Sequence, residues 1–279
     1  MSTVPAPTHA LEQPELPFEA APLSPYTGTR IAEIGNLRSI DDAAFAAIAR
    51  ILYERGVVVI PGQGLDAVEL ETFGRRFGEL WIGPLQRPVP GATFAIPISN
   101  KGKSKAISER WHSDSPFVPA PAKITILSAQ EVPPVGGDTM WCNQYAVYDA
   151  LPEGYKSTLA HLKAVHYGRA QDIVLNGIDR DLPGWAHPVI RTHPETGRKL
   201  LFVSAHAEHF ENVSREDSRP LLSYLQSLLG RPEFSYRHRW TKGDLVIWDN
   251  RATTHYAIHD YGDYPRLLYR VTVQGEVPA

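Results

Sequence analysis

The sequence predicts a mainly β fold, an antiparallel barrel or jelly roll with helices packed outside. Three observations carry this. The C-terminal third reads as strands, at about 234–240, 244–248 and 267–274. Strand-like runs flank helical stretches on both sides. No alternating βα pattern of the kind a parallel sheet needs runs along the chain.

Residues 1–24 carry Pro5, Pro7, Pro14, Pro17 and Pro22 and read as an N-terminal arm ahead of a single domain over 25–279. A helix is expected from about Asp41 to Arg55, capped by Ser39 or Asp41, with Phe45, Ile48, Ala49 and Leu52 on one face. Gly56 ends it, and Val57-Val58-Val59-Ile60 reads as a buried strand. A second helix follows over about 66–77. Residues 80–110 are rich in Pro and Gly, carry Lys101, Lys103 and Lys105, and read as a long binding loop. Lys123–Ala129 is an expected strand, Pro133–Asp138 a turn, and 144–150 and 152–162 are expected helices. Another loop is expected over 170–186. Val189–Val203 reads as a hairpin turning at His193–Gly197, and Ser214–Leu229 as an amphipathic helix with a capping-box-like start at Ser214 and Asp217.

A chain of 279 residues, 43% of them hydrophobic, can bury a sizeable core. Its net charge of -3 gives no electrostatic case for nucleic acid or an anionic membrane surface. The lone Cys142 excludes an internal disulfide and suits a reducing, cytoplasmic setting; it reads as a small buried apolar residue. No basic-then-apolar start marks a signal peptide, and no apolar run reaches the roughly 18–20 residues of a membrane span.

The chemistry gathers at Trp111-His112-Ser113-Asp114. In an extended segment residues i and i+2 point the same way, so His112 and Asp114 can reach one metal. A histidine from a distant strand, with His255 as the candidate, completes a 2-His-1-carboxylate face. That face leaves open positions for O2 and a chelating co-substrate, as Fe(II) oxygenases require. By itself His-x-Asp is more often a surface histidine beside a capping carboxylate. Downstream, Trp248-Asp249-Asn250-Arg251 leads to His255, and Arg266 and Arg270 are spaced by four along a strand-like stretch, able to share a face. Guanidinium forks pair with carboxylates, and 2-oxoglutarate needs such an anchor.

Taken together, Phe77-Gly78-Glu79, Trp111–Asp114, Gly136-Gly137-Asp138-Thr139, Trp248–His255 and the Arg266/Arg270 pair stand in the order of the taurine dioxygenase family. That family of Fe(II)/2-oxoglutarate-dependent oxygenases includes alkylsulfatases and enzymes cleaving phenoxyalkanoate herbicides. The chain resembles it from about residue 25 to 275. The resemblance implies a double-stranded β-helix, a cupin-like jelly roll. It implies Fe(II) held by His112, Asp114 and His255, with 2-oxoglutarate and O2 as co-substrates giving succinate and CO2. Thr139 and Arg266 match the residues that hold the 2-oxoglutarate C5 carboxylate. Arg270 matches a second arginine near the substrate's anionic group or the C1 end of the co-substrate. Relatives are often dimers or tetramers, so a homodimer or homotetramer is implied.

The expected substrate is a medium-sized organic anion: an alkyl sulfate, a sulfonate, or an aryloxy or alkyl carboxylate. Hydroxylation beside the heteroatom would break a C–O or C–S bond. Trp81-Ile82-Gly83-Pro84-Leu85-Gln86 stands where taurine-specific relatives carry a His and a Tyr, and Ser108-Glu109-Arg110 replaces an amide-rich run. The departure points away from taurine itself, toward a roomier apolar mouth with Leu80, Trp81, Leu85 and Trp185. The implied substrate-binding set is Arg270, His206, Ser108, Trp81, Gln86 and Tyr167. His206 and Tyr167 can equally be packing residues. Two alternatives stand beside this reading: a biosynthetic hydroxylase or desaturase of an amino acid or natural product, and a metal hydrolase or binding protein on the same scaffold. A halogenase is disfavoured because Asp114 is present.

Overall fold

The computed structural model describes residues 16–83, 86–100, 109–169 and 181–279. The expected sites Ser108 and Leu85, the lysines 101, 103 and 105, and most of the loop expected at 170–186 lie outside them.

The sheet that backs the site has eight strands. β1 (Glu19–Pro22), β2 (Thr29–Ala32) and β3 (Val57–Ile60) lead to β14 (Leu245–Asp249), β6 (Ile124–Glu131) and β16 (Leu267–Val273). β4 (Leu80–Trp81) continues the path, and β5 (Ile96–Ser99) also pairs with β16. The pairs are antiparallel except β2 with β3.

Alternation sorts the side chains of this sheet into two layers. Ile124, Ile126, Leu245, Ile247, Val271, Val273, Val58 and Ile60 pack under α1 (Asp42–Arg55) and α2 (Ala67–Gly74). Leu127, Ala129, Val246, Trp248, Leu268, Val57 and Val59 face the other way, onto Trp141 and Trp240. Facing that inner layer is a three-stranded sheet in which β7 (Thr139–Asn143) lies between β13 (Ser235–His238) and β15 (Thr253–Ala257). Behind it, α3 (Gln144–Asp149) and α5 (Arg215–Ser227) contribute to an outer apolar layer. This layer also receives a third sheet, β12-β8-β9 (Ala207–Phe210, Lys163–His166, Trp185–Pro188), and the hairpin β10-β11 (Ile190–Thr192, Lys199–Leu201). A short helix, α4 (Glu153–Leu159), precedes β8.

Capping places the helix starts where the sequence puts them. Asp41 accepts from the Ala44 N–H, and Asp66 with Glu69 forms a full capping box. At α5 only half of one forms: Ser214 accepts from the Asp217 N–H and donates to the Asp217 carboxylate.

Three expectations need correction. The arm does not extend to residue 24: Phe18 is buried and Glu19–Pro22 pairs with Thr29–Ala32. Pro22 is tolerated there because an edge strand has one unpaired side. The segment 80–110 is not one loop, since β4 and β5 attach to β16. The loop expected to reach residue 186 ends earlier, because β9 begins at Trp185. Cys142 is fully buried, and burial pushes its thiol up to about 12. No described helix is long and apolar enough to cross a membrane.

Candidate active site

The site lies between the two facing sheets, and β pairing brings its parts together. His112 and His255 form an isolated antiparallel bridge and exchange both backbone hydrogen bonds, at 3.0 and 2.7 Å. Residues paired in this way present their side chains on one face, and the two imidazole rings stand 4.1 Å apart. Asp114, two residues on, reaches the same point: ligand atoms of His112, Asp114 and His255 all lie within 4.8 Å of one another. The Trp111 ring packs against Tyr256 at 5.7 Å. It also lies against Gly230, where a Cβ would meet its Nε1 at 2.0 Å. Only glycine admits that approach.

The register carries Thr139 to the same place. On β15, His255 sits opposite Trp141 and Ala257 opposite Thr139, so Thr139, Trp141 and His255 share a face. The Gly-Gly-Asp-Thr run also has a local reason. Gly136 and Gly137 both take positive φ, and a Cβ on Gly137 would crowd Tyr261 at 3.1 Å and the Arg266 side chain at 3.2 Å. The bare backbone lets Arg266 cross it and donate from Nε to the Gly137 carbonyl at 3.2 Å. Thr139 Oγ1 accepts from the Trp240 indole N–H at 3.0 Å, which leaves the hydroxyl proton free to donate. The Arg266 guanidinium lies 5.9 Å from the Trp240 ring and 5.8 Å from the Tyr261 ring.

The electrostatics combine two neutral imidazoles with positive charge from Arg266 and Arg270. Burial lowers the pKa of both histidines, that of His255 to about 3. His112 Nδ1 lies 2.7 Å from the Arg110 carbonyl, which fixes the tautomer and frees Nε2 as a ligand. Burial opposes ionisation of Asp114, yet His255, Arg270, His112 and the Thr125 hydroxyl hold its carboxyl down at about 2. Arg266 is only 7% exposed, its pKa is lowered by burial, and it forms no ion pair among the described residues. Arg270 Nη1 stands 4.0 Å from Asp114 Oδ1, and its Nε is buried without a partner. Arg266, buried without an ion pair among the described residues, and the half-buried Arg270 leave positive charge that an anion from outside the chain would balance.

The other expected residues distribute unevenly. Trp81 sits opposite Thr272, so it faces the Arg270 side of the sheet, half-buried. Leu80, opposite Val273, packs instead into the helical layer and is not at the mouth, because alternation sends neighbours to opposite faces. Gln86 is buried and accepts from the Gly83 N–H. His206 lies with its ring 6.2 Å from His112 and 5.4 Å from Phe117. Tyr167 turns toward the outside: its hydroxyl meets His209 at 3.2 Å and Arg169 and Arg215 lie over its ring. Trp185 is 43% exposed on edge strand β9. Sequence reasoning did not single out Thr125, Trp240, Tyr261 or Phe117. Thr125 gave no signal of its own, since its strand also carries Ser128, Gln130 and Glu131.

Residues 19–272 match the family described as taurine catabolism dioxygenase TauD, TfdA family. The chain is 34% identical to an alkylsulfatase of Acinetobacter baylyi, covering 97% of this chain and 89% of that one. It is 36% identical to an alpha-ketoglutarate-dependent 2,4-dichlorophenoxyacetate dioxygenase of Cupriavidus pinatubonensis, covering 85% and 90%. Among solved structures it matches a taurine dioxygenase from Burkholderia xenovorans with a TM-score of 0.83 and 31% identity, over 94% of this chain and 92% of that one. The chain belongs to the TauD/TfdA family. It is thus an α-ketoglutarate-dependent dioxygenase, an oxidoreductase that takes Fe(II), 2-oxoglutarate and O2.

The residues present fit Fe(II). The donor set is two neutral imidazoles and one ionised carboxylate. His255 leaves Nδ1 buried with no hydrogen-bond partner and Nε2 3.8 Å from Asp114 Oδ1. A ring so unsatisfied in the interior suits a group that the chain itself does not supply.

Proposed function

We propose that the enzyme hydroxylates a medium-sized organic anion, an alkyl sulfate, a sulfonate or an aryloxy or alkyl carboxylate, with succinate and CO2 as co-products. Hydroxylation next to the heteroatom gives a product that fragments at C–O or C–S. His112, Asp114 and His255 hold the iron. Thr139 and Arg266 hold the C5 carboxylate of 2-oxoglutarate. Arg270 faces the substrate's acidic group or the C1 end of the co-substrate. The observation that carries this reading is the arginine pair beside the His–Asp–His cluster: Arg266, buried without an ion pair among the described residues, and the half-buried Arg270, whose Nε has no partner.

Bound iron supplies activation of O2 coupled to oxidative decarboxylation of 2-oxoglutarate. The chain's own residues do the positioning. Thr139 donates its hydroxyl and Arg266 its guanidinium to one carboxylate, an arrangement that favours a planar dianion of fixed length. Trp240 and Tyr261 wall that end and exclude water, which strengthens the charge pairing. The inward face of the large sheet, with Leu127, Trp248 and Leu268, supplies an apolar wall behind the iron. Trp81, Gln86, His206 and Ser108 form the substrate set of this reading, and Tyr167, turned outward onto His209, drops out of it. Trp81 and His206 have the strongest support, from register and from ring distance to His112.

The same reading takes the two facing sheets as halves of a double-stranded β-helix and the chain from residue 19 onward as one catalytic domain. It also takes the enzyme as a homodimer or homotetramer, and as cytoplasmic, which its lone buried cysteine supports. Succinate release tests the substrate class, measured with sulfate esters, sulfonates, aryloxy acids and amino acids. Stimulation by one of the first three classes, with a substrate KM raised in Arg270→Ala, is expected. Stimulation by a neutral amino acid alone, or an unchanged KM in Arg270→Ala, contradicts it.

A further inference from the structure

We infer that Thr125 and Asn250 are positioning residues that decide which oxygen of Asp114 is offered to the metal. The inference rests on reading His112, Asp114 and His255 as the ligand set. Asn250 Oδ1 accepts two hydrogen bonds, from the Asp114 backbone N–H at 3.2 Å and from the Trp248 indole N–H at 2.9 Å. Two donors on one side fix the amide, so Nδ2 faces the other way and donates to Thr125 Oγ1 at 2.9 Å. A hydroxyl has one proton. With the Asn250 amide donating to it, the Thr125 proton goes to Asp114 Oδ2, at 2.7 Å. The ring closes on one residue: Asn250 grips the backbone of Asp114 directly and its carboxylate through Thr125.

All three supports are buried, Thr125 at 0% and Asn250 and Trp248 at 2% exposure. No water competes for these bonds, and each direction is forced by the inventory of donors and acceptors. Asp114 Oδ2 is thereby occupied. Oδ1 is the oxygen that faces His255 Nε2 at 3.8 Å and Arg270 Nη1 at 4.0 Å. The consequence is a one-oxygen ligand. A carboxylate free to turn and bind through both oxygens would take a coordination position that the open face keeps for co-substrate and O2. The sequence supports the division of labour. Thr125 stands on the inward parity of β6 with Leu127 and Ala129, opposite Trp248 of β14, where valine would otherwise serve.

Mn(II) binding to the metal-free chain, followed by the EPR signal of free Mn(II), tests this without turnover. Thr125→Val keeps the shape and removes the hydroxyl, and Thr125→Ala removes it without a branched side chain. Both are expected to weaken Mn(II) about 10- to 100-fold, the usual cost of losing such a support. Thr125→Ser keeps the hydroxyl and is expected to stay within about threefold of the parent chain. Melting temperatures of the metal-free variants show which of them fold. Parent-like affinity in a folded Thr125→Val or Thr125→Ala overturns the inference. So does Thr125→Ser losing as much as they do, because the role is then packing. Failure of the unsubstituted chain to bind Mn(II) overturns the ligand set itself, and that outcome is visible before any variant is made.

Discussion

Trp248-Asp249-Asn250-Arg251 carries two buried polar systems on opposite faces of one short run, and they are built by opposite rules. Trp248 and Asn250 face the metal side, where Arg266 stands buried without an ion pair among the described residues and the half-buried Arg270 lies 4.0 Å from Asp114. Asp249 and Arg251 face away, and there the charges are closed. Arg251 donates to Asp249 from its backbone N–H, Nε and Nη2. His193 Nε2 lies 3.0 Å from Asp249, Glu195 meets Arg251 at 2.8 Å, and Glu276 meets both Arg251 and Arg191. The pairing with Arg251 and the contact with His193 keep the Asp249 carboxyl well below the usual range in spite of burial. The closed side ties the strand, the β10-β11 turn and the C-terminal tail together. The open side holds charge in reserve for small molecules. Buried charge is structural where it is paired and functional where it is not.

The largest effect should come from unbalancing the closed side. Arg251→Met leaves Asp249 buried without its cation and is expected to cost about 3–5 kcal/mol in urea unfolding. A loss of less than about 1 kcal/mol would mean the network is not what holds this face. The open side should answer in the opposite sense. Arg266→Met removes an unpaired buried cation, so metal-free stability holds or rises, while the KM for 2-oxoglutarate increases roughly 10- to 100-fold, as loss of a charge-assisted bond predicts. A fall in stability with unchanged KM would reverse the contrast.

Much of this division was legible before any fold was known, and the unread part has a physical cause. Val57–Ile60 reads as a strand because every side chain is apolar and buried. α1 and α2 read as helices because Asp41 and Asp66 cap them. β7 and β15 escape because the site interrupts their patterns: Thr139, Asn143, Thr254 and His255 are polar yet buried, so neither alternation nor a continuous apolar run appears. The pairing of His112 with Asp114 was legible from spacing, His255 from the family resemblance and the arginine pair from its period, and the fold brings the three donors together. Thr125 was not, because a threonine in a strand is ordinary until Asn250, 125 residues away, is seen donating to it.

A smaller effect belongs to pH. Burial lowers His166 to about 3 and His187 to about 4. Between the ordinary value of 6.5 and these folded values, the unfolded chain takes up protons that the folded chain refuses. Stability from these two groups is therefore complete above about pH 6.5 and is lost as pH falls toward 4. Asp249 works in the same direction lower down: its contribution holds above its ordinary value of 3.8 and is lost as pH falls below that toward its depressed folded value. His166→Gln should flatten the upper limb of urea stability between pH 7 and 4.5; an unchanged slope would assign that limb elsewhere.

In the proposed function the open side receives 2-oxoglutarate at iron held by His112, Asp114 and His255. Anaerobic titration of the Fe(II)-loaded chain with 2-oxoglutarate tests it most directly. A weak visible charge-transfer band should grow and saturate, and in Arg266→Met it should need roughly 10- to 100-fold more 2-oxoglutarate. No band in the unsubstituted chain, or the same titration curve in Arg266→Met, would contradict the account.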